Sequence, residues 1–168
     1  MNSFETVTLK GILWTDFVNY KKVCTTLEFP ICDFKCCKEC GKGICQNLPI
    51  VDYPDITVQV SYIINNYLKD DISEAICFQG LEPLDSYQDC LKIIKALRNS
   101  ENTKKDDDIV IYTGYTEDEV REKGFLDELR QYGNIVLKVG RFIPNQEQHF
   151  DDVLGVKLFG ENQYGLRL

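Results

Sequence analysis

Residues 23–47 read VCTTLEFPICDFKCCKECGKGICQN. Val23 to Pro30 is rich in β-branched and apolar residues, the composition of a strand. It runs straight into five cysteines within fourteen positions, Cys32, Cys36, Cys37, Cys40 and Cys45, with Gly41 and Gly43 among them. A strand feeding a cysteine-dense loop predicts a binding loop carried on the end of a buried sheet.

The chain after this segment continues the pattern. Pro49 and Pro54 bracket a connection, and Thr57 to Lys69 places Val60, Ile63, Ile64, Tyr67 and Leu68 at helical spacing. Ala75 to Phe78 (AICF) has the continuous apolar character of a strand buried on both faces. The turn GLEPLDS leads into a helix opening at Asp85 or Ser86, with Tyr87, Leu91, Ile94 and Leu97 on one side. After the polar tract NSENTKKDDD, Ile109 to Thr113 (IVIYT) reads as a strand. Thr116 and Glu119 form a capping-box pattern, helical segments run on towards Tyr132, and Gly133 is a stop. Ile135 to Val139 (IVLKV) is a further strand.

Strand and helix thus alternate from Val23 onward, the signature of an α/β fold with a mostly parallel sheet. Four such units are too few for a closed eight-stranded barrel, which typically takes about 250 residues. The expected architecture is an open, curved partial (β/α) barrel forming a single domain over residues 1–168. Residues 1–22 have mixed patterning and stand as an N-terminal extension without an assigned element. Sites in such sheets gather at the carboxyl ends of the strands. Three loops emerge there: the cysteine loop, GLEPL (Gly80 to Leu84) and TGY (Thr113 to Tyr115).

The formal net charge of -8 excludes a phosphate backbone as a ready partner, because such binding needs basic patches. The start MNSFETVTLK has neither a basic opening nor an apolar core, so it does not read as a signal peptide. No apolar run approaches the roughly 18 residues of a membrane helix. These features predict a cytoplasmic protein that binds neither nucleic acid nor membrane. In that compartment a local thiol cluster favours metal over disulfides. Cys24, Cys77 and Cys90 lie apart from the cluster and read as buried fillers. His149, in NQEQHFDD, reads as an exposed side chain, and Asp106 to Asp108 as a solvated turn. Trp14 and Phe17 are expected in the core or capping it.

Thiolates are soft ligands for zinc or iron–sulfur clusters. A structural zinc site wants two pairs of ligands. Cys37 and Cys40 supply one pair, but no remote second pair of that type exists.

ICDFKC followed by CQN (Cys45 to Asn47) resembles the cluster loop of radical S-adenosylmethionine (SAM) enzymes. It is most similar to the small activating proteins of anaerobic ribonucleotide reductase. Gly80-Leu81-Glu82-Pro83-Leu84 is similar to that family's Gly-Gly-Glu-Pro-Leu, with Leu81 in place of the second glycine. IVIYTGY, VGRFIP and NQYGLRL resemble its later segments. The resemblance implies a [4Fe–4S] cluster on three cysteines, Cys32, Cys36 and Cys45, with SAM chelating the iron left open. It implies SAM contacts from Gly80, Leu81, Glu82, Pro83, Thr113 and Gly114. One electron would then break a carbon–sulfur bond of SAM, and the resulting radical would abstract a hydrogen atom. The implied partners are a glycyl radical enzyme or another protein or peptide, plus a one-electron donor such as flavodoxin or ferredoxin.

The chain departs from the family's Cys-x3-Cys-x2-Cys spacing. Cys32 and Cys36 keep the first interval, but eight residues, CKECGKGI, separate Cys36 from Cys45. Cys45 is the favoured third ligand because Asn47 reproduces the family context and Gly41 and Gly43 let the insertion bulge. Cys40 is the alternative. Three further readings stay open: a radical SAM enzyme acting on a peptide or metabolite, an iron–sulfur electron carrier with a fourth thiolate, and a zinc-stabilised interaction domain.

Overall fold

The computed structural model describes residues 4–41 and 44–168, so Gly43 lies outside the described residues. In chain order the elements are β1 (Thr6–Leu9), β2 (Gly11–Asp16), β3 (Cys24–Phe29), α1 (Lys35–Cys40), α2 (Leu48–Val51), β4 (Ile56–Gln59) and α3 (Val60–Lys69). There follow β5 (Ala75–Gly80), α4 (Tyr87–Arg98), β6 (Asp108–Tyr112), α5 (Glu117–Glu122), α6 (Phe125–Arg130), β7 (Ile135–Val139), β8 (His149–Asp151), β9 (Val156–Leu158) and β10 (Tyr164–Arg167).

The central sheet has the order β10-β7-β6-β5-β3-β2 and is not closed. β3, β5, β6 and β7 are mutually parallel, as the alternation predicts, while β2 and β10 join antiparallel at the two edges. The fold is therefore α/β with a mixed, mostly parallel sheet. Residues 1–22 are not an appendage: they supply edge strand β2, and β1 pairs with β4 in a separate ribbon.

Side chains alternate across each strand with period two. Ile76 and Phe78, Ile109 and Ile111, Ile135 and Leu137 face the larger core, which the helices cover with Val60, Ile63, Ile64, Tyr67, Ile94 and Leu97. Cys24, Ala75, Cys77, Val110 and Val136 face the other way, into a smaller cluster closed by Tyr20, Leu154 and Leu158. Cys24, Cys77 and Cys90 are fully buried, as fillers should be. Continuing the parity, Gln79, Tyr112 and Lys138 share the smaller cluster's face one step nearer the strand ends.

Three local expectations are corrected. The helix expected from Thr57 begins at Val60, because Ile56–Gln59 instead pairs with β1. The helical segments towards Tyr132 are two helices, divided at Gly124, whose φ of 77° is left-handed, and they stand as expected. Asp108 is not in a solvated turn: it is buried at the start of β6, holding Tyr20, Lys22 and Arg167. Phe17 is exposed, whereas Trp14 packs edge-on against Tyr62. The capping box at Thr116 and Glu119 is present in both directions. Among the described residues no helix is long and apolar enough to cross a membrane.

Gly80 ends β5 with φ 97°, and a Cβ there would lie 2.6 Å from the backbone nitrogen of Phe29 and 2.9 Å from Glu28 Cα. Its missing side chain allows the close approach of β5 to β3. Gly80→Ala is expected to lower stability by roughly 2–4 kcal/mol, from positive-φ strain plus overpacking against rigid backbone. A denaturant midpoint equal to the parent's would reject this account.

Candidate metal centre

The parallel ladder between β3 and β5 does not stop at the strand ends. Leu81 N–H donates to Phe29 O at 3.0 Å and Glu82 N–H to Ile31 O at 2.8 Å. That pairing draws the GLEPL turn against the start of the cysteine segment. Next along the edge, Glu82 ties two loops together: one carboxylate oxygen accepts from Gly114 N–H at 2.8 Å, the other from Leu84 N–H at 3.0 Å. Thr113 N–H donates to Lys138 O, and Gly140 N–H to Tyr115 O. The loops after β3, β5, β6 and β7 are thus joined in sequence.

They enclose a cavity of about 330 Å³, within the range of small-molecule sites. Cys32, Cys36 and Cys45 all line it, with Gly80, Leu81, Glu82, Thr113 and Gly114. Cys40 is exposed, and neither it nor Cys37 is among the lining residues. Pro83 also lies off the lining. It is buried at the first turn of a 3-10 segment, where its carbonyl receives the Cys90 thiol. His149, the sole histidine, is half-buried in β8 opposite the cavity-lining Leu158 and is not itself among the lining residues.

The thiols are spread, not bunched. Tetrahedral zinc at Zn–S of about 2.3 Å would bring its sulfurs within about 3.8 Å of one another. Among the described residues no three cysteine sulfurs fall within 4.8 Å of each other; the one compact potential ligand group is Cys32, Asp33 and Asp85. The Asp85 carboxylate is already engaged by Asp33 N–H and the Tyr115 hydroxyl. Among the described residues, then, no trio of cysteine sulfurs is preassembled for a single tetrahedral ion.

The profile of a family described as "4Fe-4S single cluster domain" matches residues 23–157. The chain belongs to the 4Fe-4S single cluster domain family. That match spans the cysteine loop and all four parallel strands. No curated protein and no solved structure matches the chain.

As a 4Fe-4S single cluster domain, the protein must present thiolates to iron, and its surroundings act on them in opposing ways. Burial pushes the Cys32 thiol up to about 12; Phe34 N–H, 3.2 Å from its sulfur, opposes this, and Glu82, Asp85 and Asp33 reinforce it. Burial also raises Cys36, against the lowering effects of Phe142 N–H and the Arg141 guanidinium. Free of iron, both are protonated at neutral pH and therefore poor nucleophiles.

Two buried charges complete the site, and only one was expected. Burial raises Glu82 to about 7, although its backbone donors favour the anion. Lys138 lines the same cavity, almost wholly buried, and burial lowers it to about 8 while Glu82 and Cys36 raise it. Among the described residues its ammonium has a single hydrogen-bond acceptor, Gly140 O at 2.8 Å. The signal for Lys138 was a lysine inside the otherwise apolar strand IVLKV, since lysine is rarely fully buried without a partner. Phe142 and Phe159, edge-on at 6.3 Å between centroids, and Gln163 complete the wall; Phe142 and Gln163 fall within VGRFIP and NQYGLRL, whereas nothing in its local sequence marks Phe159.

Proposed function

We propose that this protein is a radical SAM enzyme that holds its [4Fe–4S] cluster on Cys32, Cys36 and Cys45 and cleaves SAM reductively. The observation that carries the reading is that three thiols share one cavity with a buried cation and a buried carboxylate. Three thiolates leave one iron of the cube without a protein ligand. The cluster, when bound, supplies the electron for carbon–sulfur cleavage.

The chain's own residues would do the binding and the exclusion. Lys138 presents N–H donors to an anion, which suits a ligand carboxylate. The carbonyl side of the Gly80–Leu81 turn and the Glu82 carboxylate suit an ammonium. A zwitterionic amino-acid moiety matches both. Phe142 and Phe159 close one side against water. We read the open sheet as a partial barrel whose uncovered edge admits a protein or peptide substrate, with a glycyl radical enzyme as the favoured partner. Flavodoxin or ferredoxin is the expected electron donor.

Anaerobic reconstitution followed by electron paramagnetic resonance, with and without SAM, tests this. A reduced-cluster signal that SAM perturbs, with methionine and 5′-deoxyadenosine formed under reduction, supports it. A cluster blind to SAM means an electron carrier, and colourless protein containing zinc means neither.

A further inference from the structure

Helix α1 carries Cys36, and very little in its own sequence holds it in place. It has six residues, none buried. Helices shorter than about 12 residues are marginal alone, and their stability comes from packing. Its N-cap position is Phe34 at φ 56°, a left-handed conformation unfavourable for a bulky residue; Phe34 supplies no side-chain cap, and the first-turn N–H of Lys35 donates instead to Asp33 Oδ1 at 2.9 Å. The first turn contains no acidic residue.

Charged contacts supply what packing does not. Lys35 Nζ lies 2.5 Å from Glu119 Oε1, and Arg141 Nη2 lies 2.6 Å from the same oxygen. Arg141 Nε lies 3.2 Å from Glu39 Oε2 on α1, a charge pair whose angle does not make a hydrogen bond. The Arg141 side chain is only 10 % exposed, so this is not a loose surface pair. Glu119 is itself fixed, since its other oxygen accepts Thr116 N–H in the α5 capping box. The Arg141 backbone is fixed too: its carbonyl accepts from Asn162, and the preceding Gly140 N–H donates to Tyr115 O.

We infer that Arg141 is a positioning residue: it clamps α1 to α5 through Glu39 and Glu119 and so holds Cys36 over the cavity. The inference rests on the reading of Cys36 as a cluster ligand. The clamp grips the first turns of the insertion, so the eight residues between Cys36 and Cys45 do not carry Cys36 away. It also accounts for an exposed Cys40 on the same short helix: α1 is held by its Lys35–Glu39 side, and its last residue is left in solvent.

The test compares the parent chain with Arg141→Gln, Arg141→Lys and Glu39→Gln. Glu39 is a half-exposed side chain, so its variant removes one arm of the clamp without threatening the core. After reconstitution, iron release to a mild chelator is expected to be about 10-fold to 100-fold faster in Arg141→Gln, the usual penalty for removing a group that orients a ligand. Arg141→Lys should recover part of this, and Glu39→Gln should show a smaller acceleration. Added salt should speed release from the parent more than from Arg141→Gln, because only the parent has the two Arg141 pairs to screen, the Lys35–Glu119 pair being common to both. Equal release rates for parent and Arg141→Gln at low salt overturn the clamp.

A second measurement does not need the cluster. In the iron-free full chain, amide hydrogen exchange across α1 should be about 10-fold faster in Arg141→Gln, with the core strands unchanged. Unchanged α1 exchange overturns the clamp whatever happens to iron. Faster α1 exchange in a protein that never takes up iron sinks the cluster assignment and leaves the clamp standing.

Discussion

Cys45→Ser is expected to reduce bound iron to a small fraction of the parent's after anaerobic reconstitution, while Cys40→Ser and Cys37→Ser keep most of it. The ground is placement. Cys32, Cys36 and Cys45 line one cavity; Cys40 is exposed on the solvent side of α1, and Cys37 is off the lining. With one ligand gone, two thiolates must hold four irons, and the serine hydroxyl is a hard donor poorly matched to a site built for soft thiolates. Iron and sulfide analysis with the visible absorbance of the cluster reads the result. Loss in Cys40→Ser with retention in Cys45→Ser would transfer the third ligand to Cys40. Equal loss in both would mean that four thiols bind and no iron is open to SAM.

The second large effect concerns the cavity beyond the thiols. A Cβ at Gly114 would sit 3.6 Å from the Cys36 sulfur and 3.5 Å from Glu82 Oε2, ordinary van der Waals contact. Gly114→Ala should therefore bind the cluster and retain SAM cleavage. Gly114→Val extends two methyls from the same position into space that the ligand would need. Losing a close approach of this kind is expected to cut SAM affinity by about 100-fold, or roughly 2.7 kcal/mol, while the iron content stays near the parent's. The reduced-cluster spectrum should then lose its SAM-induced change, and 5′-deoxyadenosine should fall to background. SAM cleavage at the parent's rate in Gly114→Val would remove the pocket from the region between Cys36 and Glu82. Gly114 suits this test better than Gly80, whose substitution strikes the backbone of β3 before it can inform on any ligand.

Much of this was legible before any coordinates. AICF, IVIY and IVLKV are apolar on both faces, so strands buried on both sides were readable from composition alone. Val60, Ile63, Ile64 and Tyr67 announced a helix through spacing. The short elements were not legible because their partners define them. β4 has the β-branched residues of either class until β1 is known to lie beside it. β8, β9 and β10 are three or four residues long and find partners across turns or across the sheet. The site divides the same way. The cysteines and Glu82 sit in motifs, and Arg141 in the resembling segment VGRFIP, but the roles of Lys138 and Arg141 depend on what the strand ends bring beside them. Gly80 sits in a legible motif, but the neighbouring strand that fills the space beside its Cα was not readable from that motif.

Both edges of the sheet come from outside the part of the chain that the family shares. β2 precedes residue 23 and β10 follows residue 157, and each pairs with a strand buried on both faces. They act as covers for hydrogen-bonding rows that would otherwise be open to another molecule. A fragment cut to residues 23–157 would bare β3 on one side and β7 on the other. Both are largely buried strands whose unpaired rows would recruit further strands. Such a fragment should self-associate in proportion to its concentration, though every cysteine and every cavity loop before residue 158 would still be in it. Sharing by descent and sufficiency for folding part company here, and the two terminal strands mark the difference.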